Sequence, residues 1–236
     1  MNPYLAEFMG TMLLILLGDG VVANVILNKT KGNNAGWMAI TVGWGLAVFV
    51  PATIFGAASG AHFNPALTLA IAVTGGMPWA QVPGFILTQL AGAFVGASLV
   101  WFMYKNHFDA TDDPGTKLGV FSTGPAIRDT PSNLISEIIG TFVLVFTLIA
   151  CKADVATKAG NFYVWAVICT IGISLGGTTG YAINPARDLG PRIAHAVLPI
   201  KGKGSSDWGY AWIPIVGPLI GAVLGGVVAK AVMPFI

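Results

Sequence analysis

The sequence predicts an all-α membrane protein: a bundle of six transmembrane helices plus two re-entrant half helices, arranged as an inverted repeat in a single transmembrane domain over residues 1–236. Three observations predict it. Hydrophobic residues make up 55% of the chain and charged ones only 9%, too few to build a water-facing surface. Six stretches, at about 4–27, 36–56, 84–104, 133–151, 161–178 and 209–234, approach the roughly 20 apolar residues that cross a hydrocarbon core. The triplet Asn-Pro-Ala occurs twice, at Asn64-Pro65-Ala66 and Asn184-Pro185-Ala186, each time heading an apolar stretch too short to cross.

The elements follow in order. The opening MNPYLAEFMG has no basic leader or cleavage site and carries Glu7, so the first span is expected to belong to the mature fold. The second span leads through SGAHF to Asn64. PALTLAIAVTG from Pro65 and PARDLGPRIAHAVLP from Pro185 rise at about 1.5 Å per residue and reach roughly halfway across a bilayer. After the third full span a polar loop over 105–131 divides the chain, and its length points to a structured vestibule or binding loop rather than a simple connector. Two further spans, the second half helix, a loop at KGKGSSDW over 201–208 and the last span complete the chain.

The halves, about 1–115 and 125–236, repeat each other. AEFMGT at 6–11 matches SEIIGT at 136–141, which places Glu7 with Glu137, Gly10 with Gly140 and Thr11 with Thr141 at one common offset. Gly92 and Gly96 are echoed by Gly217 and Gly221, a spacing of small residues that lets membrane helices approach closely. Three full spans per half force the second half to enter from the opposite side, so the repeats are inverted and the half-helix N-termini can meet near the midplane. Proline at the first helical position costs little, and asparagine just before it is a favoured cap. Irregular backbone at membrane depth survives inside protein or along a water-filled cavity, so these helix starts are expected to line a path. Two positive dipole ends, with both asparagine amides free to donate, would repel cations, orient hydroxyls and oppose a continuous proton wire.

Several function classes fall away. A formal charge of +2 argues against a nucleic-acid partner. Cys151 and Cys169 lie in or beside apolar runs without metal or redox spacing and read as small core hydrophobes, with no disulfide expected. No paired acid and base, metal cluster or activated nucleophile is legible, so neither an enzyme nor a cofactor or metal is expected. A secondary transporter could share the inverted repeat, but it would want a midplane ion site, and only Asp188 offers a carboxylate near the triplets.

SGAHFNPA and TGYAINPARD, with the six-plus-two repeat, resemble the aquaporin superfamily (the major intrinsic protein family) over essentially the whole chain. Asp188 directly after Asn-Pro-Ala-Arg is similar to the aquaglyceroporin branch and its bacterial glycerol facilitators. The resemblance implies an aquaporin-like right-handed bundle, one pore per subunit and a homotetramer. It implies a passive channel for glycerol and related small neutral solutes with water, excluding ions and protons. Dihydroxyacetone, urea, neutral lactic acid and hydrogen peroxide are further candidate solutes. A predominantly water-selective channel and a gradient-coupled transporter are the alternatives. The lipid bilayer of the cell membrane is the expected setting, with multiple passes and both termini cytoplasmic by resemblance. Lys29, Lys31, Lys105, Lys117, Arg128, Lys201 and Lys203 would then be outside, and Lys152, Lys158 and Lys230 inside. The positive-inside rule votes the other way, although Asp109, Asp112, Asp113 and Asp129 make the long loop mixed.

Carried over residue by residue, the resemblance implies a selectivity filter of Trp44, Gly172, Tyr181 and Arg187. Aromatic faces suit the carbon side of a polyol, and a guanidinium fork with backbone carbonyls suits its hydroxyls. Water-selective relatives place histidine where Gly172 stands, and glycerol facilitators usually carry phenylalanine at Tyr181, whose hydroxyl would narrow the filter or add a polar contact. Gly60, Ala61, His62 and Phe63, with Gly180, Tyr181, Ala182 and Ile183, are expected to offer a ladder of carbonyls. Glu7 and Glu137 are expected to accept loop N–H groups, the alternative being carboxylates at the membrane interface. Asp188 is expected to brace its half helix from the first turn. Arg187 paired simply with Asp188 is the other reading, but an arginine inside a membrane costs about 2.5–3.5 kcal/mol and is functional by default. Trp44 alone would read as a belt residue; its position 20 residues before Asn64 promotes it. His62 is expected to contact a neighbouring loop or line the pore, His107 and His195 to be interfacial, and Asp19, which has no repeat mate, to lie near the outer interface or a subunit contact.

Overall fold

The computed structural model describes residues 1–151, 155 and 157–235. Its main elements are α1 (Pro3–Ile26), α2 (Trp37–Ser59), α3 (Pro65–Val73), α4 (Val82–Asp109), α5 (Pro114–Phe121), α6 (Thr130–Ala150), α7 (Lys158–Leu175), α8 (Pro185–Val197) and α9 (Ile213–Val232). Among the described residues there is no strand.

One local device starts most of these helices. A side-chain oxygen caps the first free N–H groups at Asn2, Asn64, Asp113, Asp129, Thr157 and Asn184, and proline occupies the first turn after all of these but Thr157. The Thr116 hydroxyl and amide that bond to Asp113 hold its carboxyl below the usual range.

Close packing in each half uses the glycines of its last helix. A Cβ at Gly92 or Gly96 of α4 would strike the α1 carbonyls of Phe8 and Met12, and one at Gly221 or Gly225 of α9 would strike the α6 carbonyls of Ile138 and Phe142. The half helices interlock the repeats: α3 lies against α9, and α8 lies against α4. α2 packs on α7, with Gly45 facing the Cys169 thiol. The outer surface exposes Leu87, Phe102, Met103, Phe162 and Val227, side chains suited to lipid and not to water.

Among the described residues, five helices are long and apolar enough to span by themselves; α7 is shorter and joins them through its packing on α2. Three differences from expectation have local causes. α4 runs on to Asp109 because its final turn, rich in polar side chains, is helical without being apolar, and Asp113-Pro114 starts a further helix inside the expected 105–131 loop. Cys151 is exposed at the C-terminal cap of α6, so only Cys169 is a core thiol. Lys152 lies outside the described residues.

Candidate functional site

The two half helices meet end to end. Asn64 and Asn184 are extended, and each side-chain oxygen caps its own helix, Asn64 Oδ1 accepting from Ala66 N at 2.9 Å and Asn184 Oδ1 from Ala186 N at 3.0 Å. Each amide nitrogen then reaches across: Asn64 Nδ2 donates to Ile183 O and Asn184 Nδ2 to Phe63 O, both at 2.8 Å. A primary amide carries two N–H groups, so one on each side closes this reciprocal clasp and one remains for a passing molecule. Of the amides expected to be free to donate, each therefore has one N–H committed to the clasp.

The segments before each triplet share a backbone that few residues tolerate. Gly60 and Gly180 have φ of 84° and 82°, and Ala61, Phe63, Tyr181 and Ile183 follow at 48°, 47°, 41° and 43°. Left-handed backbone costs a non-glycine residue on the order of 1–3 kcal/mol and persists only where the surroundings enforce it. Two buried carboxylates do so. Glu7 accepts from Ser59 Oγ at 2.6 Å, His62 N at 3.0 Å, Phe63 N at 2.7 Å and Gln89 Nε2 at 2.8 Å. Glu137 accepts from Thr179 Oγ1 at 2.7 Å, Ala182 N at 3.0 Å and Ile183 N at 2.9 Å. The matched glycines of α1 and α6 leave the necessary space: the Phe63 ring lies over Gly10 and the Ile183 side chain over Gly140.

Two cavities of about 160 and 180 Å³ lie along this line, each roomy enough for several waters. The first is lined by Val48, Leu67, Leu148, Gly60, Ala61, His62, Ala182 and Ile183 with both asparagines, and the second by Val22, Trp37, Ser122, Thr123 and Gly180. Trp44, Tyr181 and Arg187 line both. The Arg187 guanidinium carbon stands 4.0 Å from the centre of the Trp44 ring, and Nη1 donates to Phe121 O at 3.1 Å. Gly172 borders neither cavity; a Cβ there would come within 2.8 Å of Tyr181 Cζ and 2.9 Å of its hydroxyl. Its missing side chain makes room for Tyr181, whose buried hydroxyl has no hydrogen-bond partner among the described residues. Trp37 holds this corner, donating Nε1–H to Gly172 O at 2.9 Å and meeting the Tyr181 ring edge-on.

Several polar residues differ from their expected settings. Asp19 is fully buried inside the chain, with Oδ1 3.5 Å from Arg187 Nη1, so its side chain is not exposed for a subunit contact. Asp188 pairs with Arg192 instead of Arg187, at 2.8 Å from its Nε, and accepts from Thr123 N and Oγ1 at 2.8 Å. Arg192, fully buried, also donates to Thr123 O at 2.9 Å and Ser206 O at 2.8 Å. The pair therefore ties α8 to the chain on either side of it, beyond the first-turn brace expected of Asp188. His195, three residues after Arg192 on the same helix face, is buried against Ser206. His107 is half-buried, with Nδ1 3.1 Å from Asn28 O, and His62 both lines the first cavity and lies 3.1 Å from Thr68 Oγ1. Lys203, pushed down by desolvation, closes the end of α8 on the carbonyls of His195, Ala196 and Leu198. Gln89, Arg192 and Thr123 were not singled out by the sequence. A glutamine in an apolar span and an Asp-Arg pair four apart are the signals that could have found the first two. Among the described residues no group of three or more His, Cys, Asp or Glu could hold a metal.

Apolar helices closed around two facing half helices and two adjoining cavities define a multi-pass membrane channel. A family model described as "Major intrinsic protein" matches residues 1–229. The chain belongs to that family, whose members are passive channels and not enzymes. It is 57% identical over 226 residues to a probable glycerol uptake facilitator protein of Thermotoga maritima, covering 95% of this chain and 97% of the relative. It is 58% identical over 225 residues to the glycerol uptake facilitator protein of Streptococcus pneumoniae strain R6, covering 95% and 96%. With that of Bacillus subtilis it shares 54% over 232 residues, covering 98% and 85%. The crystal structure of the aquaglyceroporin from Plasmodium falciparum superposes with a TM-score of 0.84 at 30% identity, over 99% of this chain and 97% of that one. The fold is thus the aquaporin-like bundle.

Proposed function

We propose that this protein is a passive channel that conducts glycerol and related small neutral solutes, with water, and excludes ions and protons. The observation that carries it is the junction of the two cavities, where two aromatic rings, Trp44 and Tyr181, stand with one cation, Arg187. A polyol passing there turns its carbon side to the rings and its hydroxyls to the guanidinium and the loop carbonyls, which partly replaces the water it sheds. Relatives named as glycerol uptake facilitators support this reading.

In it, Trp44, Tyr181 and Arg187 form the filter and Gly172 supplies the space for Tyr181. The carbonyls of Gly60, Ala61, His62 and Phe63 and of Gly180, Tyr181, Ala182 and Ile183 form the ladder, held by Glu7 and Glu137. Asp188 acts through Arg192 on the loops. The Asn64-Pro65-Ala66 and Asn184-Pro185-Ala186 helix starts present their positive ends and one free amide N–H each, which repels cations and interrupts a proton wire. Dihydroxyacetone, urea, neutral lactic acid and hydrogen peroxide are smaller or similar neutral solutes of the same class. The protein works as a homotetramer with one pore per subunit, in the cell membrane, with both termini cytoplasmic.

A water-selective channel is the second reading, favoured by the Tyr181 hydroxyl that fills the space beside Gly172. Reconstitution in liposomes separates the two. Rapid reswelling in a glycerol gradient, well above empty vesicles, is expected; accelerated water flux in an impermeant sugar gradient without glycerol entry overturns the glycerol reading.

A further inference from the structure

Asp19 is the one feature beside the filter that the reading above leaves without a task. Its place in the repeat is taken in the second half by Ile149, so the fold does not require an acid there. Yet the carboxylate is fully buried in α1, with Oδ1 3.5 Å from Arg187 Nη1 and Oδ2 without a partner among the described residues. Among those residues it is also the sole carboxylate in ion-pair range of Arg187, since Asp188 is engaged with Arg192 and Thr123. Its neighbour Gly18 completes the arrangement, because a Cβ at Gly18 would strike the Trp44 ring. Adjacent residues of α1 therefore back the two members of the stacked Trp44–Arg187 pair.

Resting on the filter reading, we infer that Asp19 is the counter-charge of the constriction, a positioning residue that holds Arg187 over Trp44 and cancels its net charge. The guanidinium donors not turned to Asp19 and Phe121 then serve solute hydroxyls, and the passage presents donors without a net positive field. Small anions are not gathered there, and neutral polyols meet no competitor for the fork. A lone arginine in the same low-dielectric cleft would concentrate anions. A buried partner that makes no hydrogen bond with its second oxygen is suited to charge compensation, because it adds a field without adding a rigid network.

The test compares Asp19→Asn, Arg187→Val and the double variant with wild type in liposomes. Three readings are taken: the glycerol-to-urea permeability ratio, nitrate leak measured with potassium and valinomycin, and thermal stability in detergent. Asp19→Asn keeps the size and an acceptor but removes the charge, so nitrate leak is expected to rise at least about tenfold, the lower end of what an uncompensated charged cleft produces. Arg187→Val is expected to lose the solute ratio without gaining nitrate leak and to melt lower, because it strands a buried carboxylate. Adding Asp19→Asn to it should restore stability and leave the solute ratio unchanged. Wild-type nitrate leak and solute ratio in Asp19→Asn, with Arg187→Val altered, overturn the inference and leave the filter standing. An Arg187→Val protein indistinguishable from wild type overturns the filter reading instead. Should Asp19→Asn alone not fold, a double variant that also fails to fold shows Asp19 acting independently of Arg187 and overturns the pair, whereas a folded double variant supports it.

Discussion

Replacing Glu137 by Gln isolates the force that holds one loop in shape. The carboxylate accepts from Thr179 Oγ1, Ala182 N and Ile183 N, and all three are neutral donors. A glutamine keeps one acceptor oxygen and turns an NH₂ group toward a donor, so at least one buried N–H is left without a partner, at about 1–3 kcal/mol. The remaining bonds lose their charge assistance, and hydrogen bonds to a charged group are worth about 1.5–3 kcal/mol against about 1 for neutral ones. Relief from burying a charge offsets part of this, which leaves a net loss of about 2–4 kcal/mol. Tyr181 and Ile183, at φ of 41° and 43°, then lack what enforces their left-handed backbone. Glu137→Gln is expected to melt lower by on the order of 10 °C, at the few degrees per kcal/mol usual for a chain of this size, and to lose most of its glycerol flux. Differential scanning fluorimetry in detergent and stopped-flow light scattering read the two effects. A melting point within a degree of wild type, with normal flux, would refute the assignment of Glu137 as the support of this loop.

Tyr181→Phe removes a hydroxyl that has no hydrogen-bond partner among the described residues, so stability should change by less than about 1 kcal/mol while glycerol flux rises relative to water flux, read by the same light scattering. Gly221→Leu places a side chain on the Ile138 carbonyl of α6 and is expected to forbid the α6–α9 approach, with loss of folded protein on size-exclusion chromatography; Gly20→Ala, where a Cβ meets nothing, should leave the elution profile unchanged. Arg192→Met strands the buried Asp188 and is expected to cost about 3–5 kcal/mol, measured as thermal stability.

The sequence carried the parts of this structure that are encoded locally or twice. Asn-Pro marks a capped helix start wherever it falls, and its recurrence at Asn64 and Asn184 with Glu7 matched to Glu137 placed both half helices and both supporting carboxylates. The glycines at 92, 96, 217 and 221 were legible because close approach of membrane helices needs small residues at that spacing. What was not legible depends on distant segments. Asp19 meets Arg187 across most of the chain, and Arg192 acquires its meaning only when Thr123 and Ser206 fold back onto α8. The end of α4 and all of α5 escaped a hydropathy criterion because capping and polar turns, not apolar content, decide them. Tyr181 was visible as a departure from the usual phenylalanine, yet where its hydroxyl rests, over Gly172, follows from packing between α7 and the loop.

Glycerol permeability of reconstituted liposomes, followed by light scattering across a rising series of glycerol gradients with and without a protonophore and a sodium ionophore, is the measurement to make first. A passive pore gives flux that grows in proportion to the gradient through the low millimolar range and is indifferent to both ionophores. Saturation at low concentration, or collapse of flux when the ion gradients are dissipated, would contradict a channel and indicate a coupled transporter.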